Sequence, residues 1–147
     1  MTEKKDILVL GATGYTGRLI TRYLVAHPQW AQFTLAIGAR SLKKLGKLVE
    51  DLNLPSSVKL VHVDVTQVSE VEAAVRGTRV VINTVGPYWL WGTAVVRLVF
   101  ICSRSDYWLI YPESACVRHG VHYVDLTGET VWMKQIITEY VAMSFFS

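Results

Sequence analysis

The 147-residue chain predicts an α/β domain built on a doubly wound parallel sheet. Two observations carry that reading. Short apolar runs of strand type alternate with amphipathic helical stretches over most of the length, which calls for parallel strands joined by right-handed crossovers. The first apolar run, residues 7–10, has no polar break, as expected of a strand covered on both faces, and it leads directly into Gly11, Gly14 and Gly17. The expected strand order is 3-2-1-4-5.

The glycine turn is the most informative stretch. Gly11 lets the chain turn sharply off the strand, Gly14 lets the backbone approach a pyrophosphate, and Gly17 lets the following helix pack close to the sheet. Leu19, Ile20, Tyr23 and Leu24 set one apolar face of that helix. Its N-terminus offers free N–H groups and the positive end of a dipole to phosphates, and Thr13, Tyr15 and Thr16 can add side-chain contacts. A glycine turn with a purely structural role is the alternative.

Pro28 closes the first unit, and residues 34–37 read as the second strand. Ser41 is placed to cap a helix whose Leu42, Leu45, Leu48, Val49 and Leu52 recur at helical spacing up to Pro55. Arg40 stands at the end of the second strand, where an acidic residue would take the ribose hydroxyls of NAD. A guanidinium instead suits a 2′-phosphate, with Ser41 and Lys44 to assist. A solvated arginine ahead of a helix is the plainer account.

Residues 58–65 read as the third strand. Asp64 and Val65 fall where an adenine ring would lie, although an Asp there can equally cap a loop. A short helix opens at Ser69 and stops near Gly77, and residues 80–85 form the fourth strand. Thr84, Val85, Gly86 and Pro87 then follow, beside the nicotinamide half of such a site. Tyr88, Trp89 and Trp91 suit an apolar wall there, or simply core and interface packing. Residues 121–124 make a fifth strand and 130–140 a last helix.

Bulk properties narrow the function. Hydrophobic residues make up 51% of the chain, which argues against disorder. The formal charge of +3, with a weak cluster at Lys43, Lys44 and Lys47, gives no nucleic-acid stripe. Cys102 and Cys116 form no metal or disulfide pattern, which fits a reducing, intracellular compartment. The N-terminus lacks the apolar core of a signal peptide. Residues 80–102 are long and apolar enough to raise a membrane span, but Asn83, Gly86, Pro87, Gly92 and Arg97 favour strand, loop and helix.

GATGYTG, GARSLKKL, INTVGPYWLWG and HYVDLTGE stand in one order, and together they resemble the NADP-binding domain of the saccharopine dehydrogenase-like oxidoreductases, including the trans-acting enoyl reductases. The glycine spacing, GxxGxxG, suits such a Rossmann-like domain. The resemblance implies NADP(H) as cofactor, reductase chemistry on a small-molecule or lipid substrate, and a second catalytic and dimerisation domain that this chain stops short of. It also implies association of some relatives with lipid droplets or membranes in the cytoplasm, and a homodimer.

The resemblance covers residues 6–140 except 98–114, which therefore reads as an insertion, with 141–147 as a tail outside the family pattern. Removing 98–114 would join 93–97 to 115–119 as one crossover helix stopped by Gly120, whereas Pro112 would otherwise break it. A lid or interface loop is the alternative. His122, Tyr123, Asp125 and Glu129 invite an acid–base role, although alternating strand residues and a capping Glu that fix the loop after the fifth strand explain them as well. The catalytic residues stay unassigned. A dinucleotide-binding oxidoreductase domain is the expected function, with a non-catalytic binding module or an inactive truncated product as rivals.

Overall fold

A computed structural model describes residues 5–100 and 121–144. In chain order it contains β1 (Lys5–Leu10), α1 (Tyr15–Val25), β2 (Leu35–Ala39), α2 (Leu42–Leu52), β3 (Lys59–His62), α3 (Val68–Arg76), β4 (Thr78–Asn83), α4 (Tyr88–Phe100), β5 (His122–Asp125) and α5 (Thr130–Ser144). The five strands form one sheet in the order β3-β2-β1-β4-β5, and every neighbouring pair is parallel. This is the doubly wound, Rossmann-like sheet that the sequence predicts.

The side-chain period of two along each strand divides the core between the two faces. Leu8, Leu10 and Val81 pack with Val71 and Val75 of α3 and Val95 of α4. Val9, Leu35 and Ile37 pack on the other face with Leu45 and Leu48 of α2 and with Ile20 and Leu24 of α1. Burying one such side chain contributes about 1.5–3 kcal/mol, so covering both faces of β1 supplies much of the driving force for the fold. On α1 the inward stripe differs from the one that the sequence implies: Leu19 is 39% and Tyr23 64% exposed, while Ile20, Leu24 and Val25 pack on the core and Gly17 and Thr21 are buried.

Several boundaries shift for local reasons. β3 ends at His62 and not at residue 65, because the Asp64 amide donates to a Glu70 carboxylate oxygen at 2.8 Å while Asp64 Oδ1 accepts from the Thr66 amide at 2.9 Å. β4 runs from 78 to 83 and not 80 to 85, because Asn83 Oδ1 takes the Val85 amide at 3.1 Å out of the ladder. Ser41 caps α2, its Oγ accepting from the Lys44 amide at 3.3 Å, and Asn53 ends that helix in the left-handed region at φ 48°. α4 starts at Tyr88, ahead of the expected residue 93, and carries on through residues 98–100. The remainder of the expected insertion, the second half of the joined helix and Gly120 lie outside the described residues, as do Cys102 and Cys116. α5 continues through the first four residues of the expected tail, 141–144. Among the described residues, no helix is long and apolar enough to cross a membrane.

Gly17→Ala should destabilise the domain by about 1–3 kcal/mol, because a Cβ would overlap the Gly11 carbonyl oxygen and come within 2.7 Å of Ala12 Cα. Gly46→Ala, in the interior of α2 with nothing within 4 Å of the new methyl, should stabilise it by about 0.5–1 kcal/mol. Urea unfolding of both variants checks the pair. Acid unfolding should also respond to Asp6, whose carboxylate accepts from the Thr34 amide at 2.8 Å and hydroxyl at 2.9 Å. These bonds, led by the amide, hold its carboxyl below 3.8, with Arg79 adding attraction. A lowered folded-state value means stability that is complete above 3.8 and lost as pH falls through the folded value. Asp6→Asn should therefore flatten the loss of stability between about pH 5 and 2, measured by chemical unfolding across that range.

Candidate functional site

The carboxyl ends of β1, β2, β3 and β4 open on a cleft of about 280 Å³. The turn after β1 contributes Gly11, Thr13 and Gly14, and the end of β2 contributes Arg40. Asp64 and Val65 enter from behind β3, and Thr84, Val85 and Gly86 from behind β4. A doubly wound sheet binds ligands in such a crevice, where the crossovers on the two sides of β1 run in opposite directions.

The turn leaves no room for a Cβ at Gly11. Gly11 has φ 78°, and a methyl on it would stand 2.8 Å from Thr84 Oγ1 and 2.9 Å from Val85 Cγ2. The Gly38 carbonyl accepts from the amides of Gly11 at 2.9 Å and Ala12 at 3.2 Å. Gly14 is the N-cap of α1; no side chain caps that end, and its first turn holds no acidic residue. The first-turn N–H groups of α1 are therefore available to an anion at the cleft, and the space over Gly14 is open apart from the Gly11 carbonyl at 3.3 Å. These features fit a pyrophosphate.

Tyr15, Thr16, Gly17, Ser41, Lys44 and Pro87 stand outside the lining, although the sequence nominates them. Gly17 is buried against the turn itself, and Tyr15 is 83% exposed at the start of α1. Conversely, Leu10, Ala39, Val63 and Thr66 line the cleft without having been nominated, and of the three aromatic residues offered as a wall only Trp91 does so. The aromatic run before Gly92 is visible in the sequence, but which ring faces the cleft depends on the phase of α4, set by its start at Tyr88. Asp64 both lines the cleft and caps its loop, since Oδ1 accepts from the Thr66 amide and hydroxyl. Those two bonds, together with the nearby Arg40 and His62 charges, hold its carboxyl below the usual carboxylate range.

Beyond β4 the candidate acid–base residues have structural partners. Glu129 reaches across 41 residues to accept from the Tyr88 amide at 2.9 Å, and its other oxygen accepts from the Trp89 amide at 2.8 Å. Pro87 has no side chain to cap α4, so this carboxylate does so from the loop after β5; its main target is α4 and not its own loop. Burial pushes the Tyr123 phenol far above its ordinary range, and its proton is held by Asp125 Oδ2 at 2.8 Å. His122 points outward and is exposed.

The sequence of residues 7–102 matches the saccharopine dehydrogenase NADP-binding domain. The chain belongs to this family. NADP(H) is accordingly the cofactor of the domain. A lipid droplet localized protein of Caenorhabditis elegans is 30% identical over 94% of this chain and 30% of its own length. A trans-acting enoyl reductase of Mycobacterium leprae is 33% identical over 90% of this chain and 27% of its own length. This saccharopine dehydrogenase-type domain thus spans under a third of the curated relatives it matches. Yeast saccharopine dehydrogenase (L-Glu forming), in its apo form, shares the fold with a TM-score of 0.58 at 17% identity, over 90% of this chain and 24% of its own.

Glu129→Ala should destabilise this domain by about 1–2 kcal/mol, the range of a lost helix cap, and Glu129→Gln by less, since one acceptor oxygen survives. Thermal unfolding followed by circular dichroism measures both.

Proposed function

We propose that the domain holds NADP(H) for hydride transfer in an oxidoreductase acting on a small-molecule or lipid substrate. The first-turn N–H groups of α1 and the Gly11–Gly14–Gly17 turn take the pyrophosphate, with Thr13, Tyr15 and Thr16 beside it. Arg40 takes the 2′-phosphate, supported by Lys44 and by the Ser41 hydroxyl, which still has its own proton to donate after accepting from the Lys44 amide. Asp64 and Val65 receive the adenine, and Thr84, Val85, Gly86 and Pro87 meet the nicotinamide half. The cofactor when bound supplies or accepts the hydride; the protein positions it and excludes water around it.

The observation that carries this reading is Arg40 at the rim of the cleft, at the end of β2, where selection of NAD would use a carboxylate. The 147 residues span under a third of those relatives' length, and we propose cofactor binding as the part that this stretch plays in the reaction. The name of the nematode relative supports a lipid-droplet or membrane surface in the cytoplasm as its place of work, and the exposed Val124, Leu126 and Val131 are apolar groups available to such a surface or to a second copy.

Calorimetric titration of NADPH and NADH into the chain tests the cofactor assignment. NADPH should bind about tenfold or more tightly, the worth of a charge-assisted pair to phosphate. Arg40→Ala should bring the two affinities together. Equal affinities in the unaltered chain, or a preference that survives the substitution, would overturn the role of Arg40.

A further inference from the structure

A polar relay runs from β5 to the loop that follows β4. The parallel register sets Asn83 opposite Asp125 and Val81 opposite Tyr123, so alternation puts Asn83, Tyr123 and Asp125 on one face of the sheet. The Tyr123 ring reaches forward to place its hydroxyl between the other two. Asn83 Nδ2 donates to Tyr123 Oη at 3.1 Å, and that hydroxyl donates to Asp125 Oδ2 at 2.8 Å. Asp125 Oδ1 accepts from the Thr127 amide at 3.1 Å. At the other end Asn83 Oδ1 accepts from the Val85 amide at 3.1 Å.

The chemistry gives this chain only one direction. The Val85 amide can only donate, so the carboxamide oxygen of Asn83 must face it. The Asn83 NH₂ must then face Tyr123, and the tyrosine proton has Asp125 as its acceptor. Asn83 is fully buried, so a missing partner there has no water to replace it. Val85 lines the cleft, and its Cγ2 stands 2.9 Å from where a Cβ on Gly11 would be. Tyr88 adds a second tie, its hydroxyl donating to the Asn83 carbonyl at 3.2 Å.

We propose that Tyr123 is a positioning residue for the nicotinamide half of the cofactor: through Asn83 it holds the Val85 backbone in the place that half of the ligand must meet. Tyr123 is absent from the lining of the cleft and acts only through Asn83. The proposal rests on the cofactor reading above, and it concerns one end of the cleft only. Arg40, at the β2 end, is not among the partners of the relay.

The test is a pair of titrations on the full chain and on Tyr123→Phe, with NADPH and with 2′-phospho-ADP-ribose, which keeps the phosphates and adenine but lacks nicotinamide. Tyr123→Phe should weaken NADPH by about tenfold, as expected for loss of a buried hydrogen bond, and leave 2′-phospho-ADP-ribose within about twofold. The emission of bound NADPH should shift towards that of the free dihydronicotinamide. Asp125→Asn, which keeps one acceptor for two donors, should act in the same direction and serves if Tyr123→Phe does not fold. Val49→Ala thins the core on the opposite face of the sheet; it should lower the melting temperature without changing either affinity. Equal losses for both ligands, or no loss for NADPH, would overturn the positioning role. Failure of the unaltered chain to bind either ligand would instead overturn the cofactor reading beneath it.

Discussion

The carbonyl oxygen of Leu10 is the point on which the structure turns. It accepts from the Thr84 amide at 2.9 Å and from the Thr84 hydroxyl at 2.6 Å, which draws the exit of β4 against the exit of β1. One residue later the Gly38 carbonyl takes the Gly11 and Ala12 amides, which ties in the exit of β2. Three strand ends are stitched together within three residues, Leu10, Gly11 and Ala12. Gly11 must then be glycine for two separate reasons, a left-handed φ and the absence of space for a methyl beside Thr84 and Val85. The cleft is what remains above this junction, and its walls are the loops that the junction brings together.

The two ends of the cleft work by different physics. At the β2 and β3 end the groups are charged and largely open to water: Arg40 is exposed, and Asp64 is held ionised beside it. Attraction there is adjustable and screened by salt. At the β4 and β5 end the groups are neutral or fully partnered and buried, with Asn83 satisfied on both sides and Trp132 Nε1 donating to Thr93 Oγ1 at 2.9 Å. Geometry there is set by directional bonds in low dielectric, and each bond lost leaves a donor stranded. One end therefore suits recognition of a phosphate charge, and the other suits placement of a ring.

What could be read from the sequence divides along the same line. The sheet order, the glycine turn, the cap at Ser41 and the location of Arg40 follow from local patterns of residues adjacent in sequence. Boundaries failed where a side chain competes with the ladder, as Asn83 does with Val85 and Glu70 does at Asp64. The choice of Trp91 over Tyr88 and Trp89, and the partners of Glu129, were out of reach for another reason. They depend on the phase of α4, and that phase is fixed by a carboxylate 41 residues further on, which no local pattern contains. HYVD showed its alternation plainly, but the meaning of Tyr123 needed the register of β5 against β4.

The same long-range contacts explain how the cleft can be indifferent to what joins α4 to β5. α4 is fastened at its first residues, through the Tyr88 and Trp89 amides on Glu129. It is fastened again at Gly92, where a Cβ would stand 2.9 Å from the Trp132 ring, and at Thr93 through the indole N–H. These ties lead to the loop after β5 or to α5, and Val95 further along α4 joins the core beside β1 and α3. The loop-closure entropy of a connection grows slowly with its length, about 0.6 kcal/mol per doubling. A segment of unusual composition after residue 97 is compatible with these ties, while a single substitution at Glu129 or Gly92 acts on the cleft through the placement of α4.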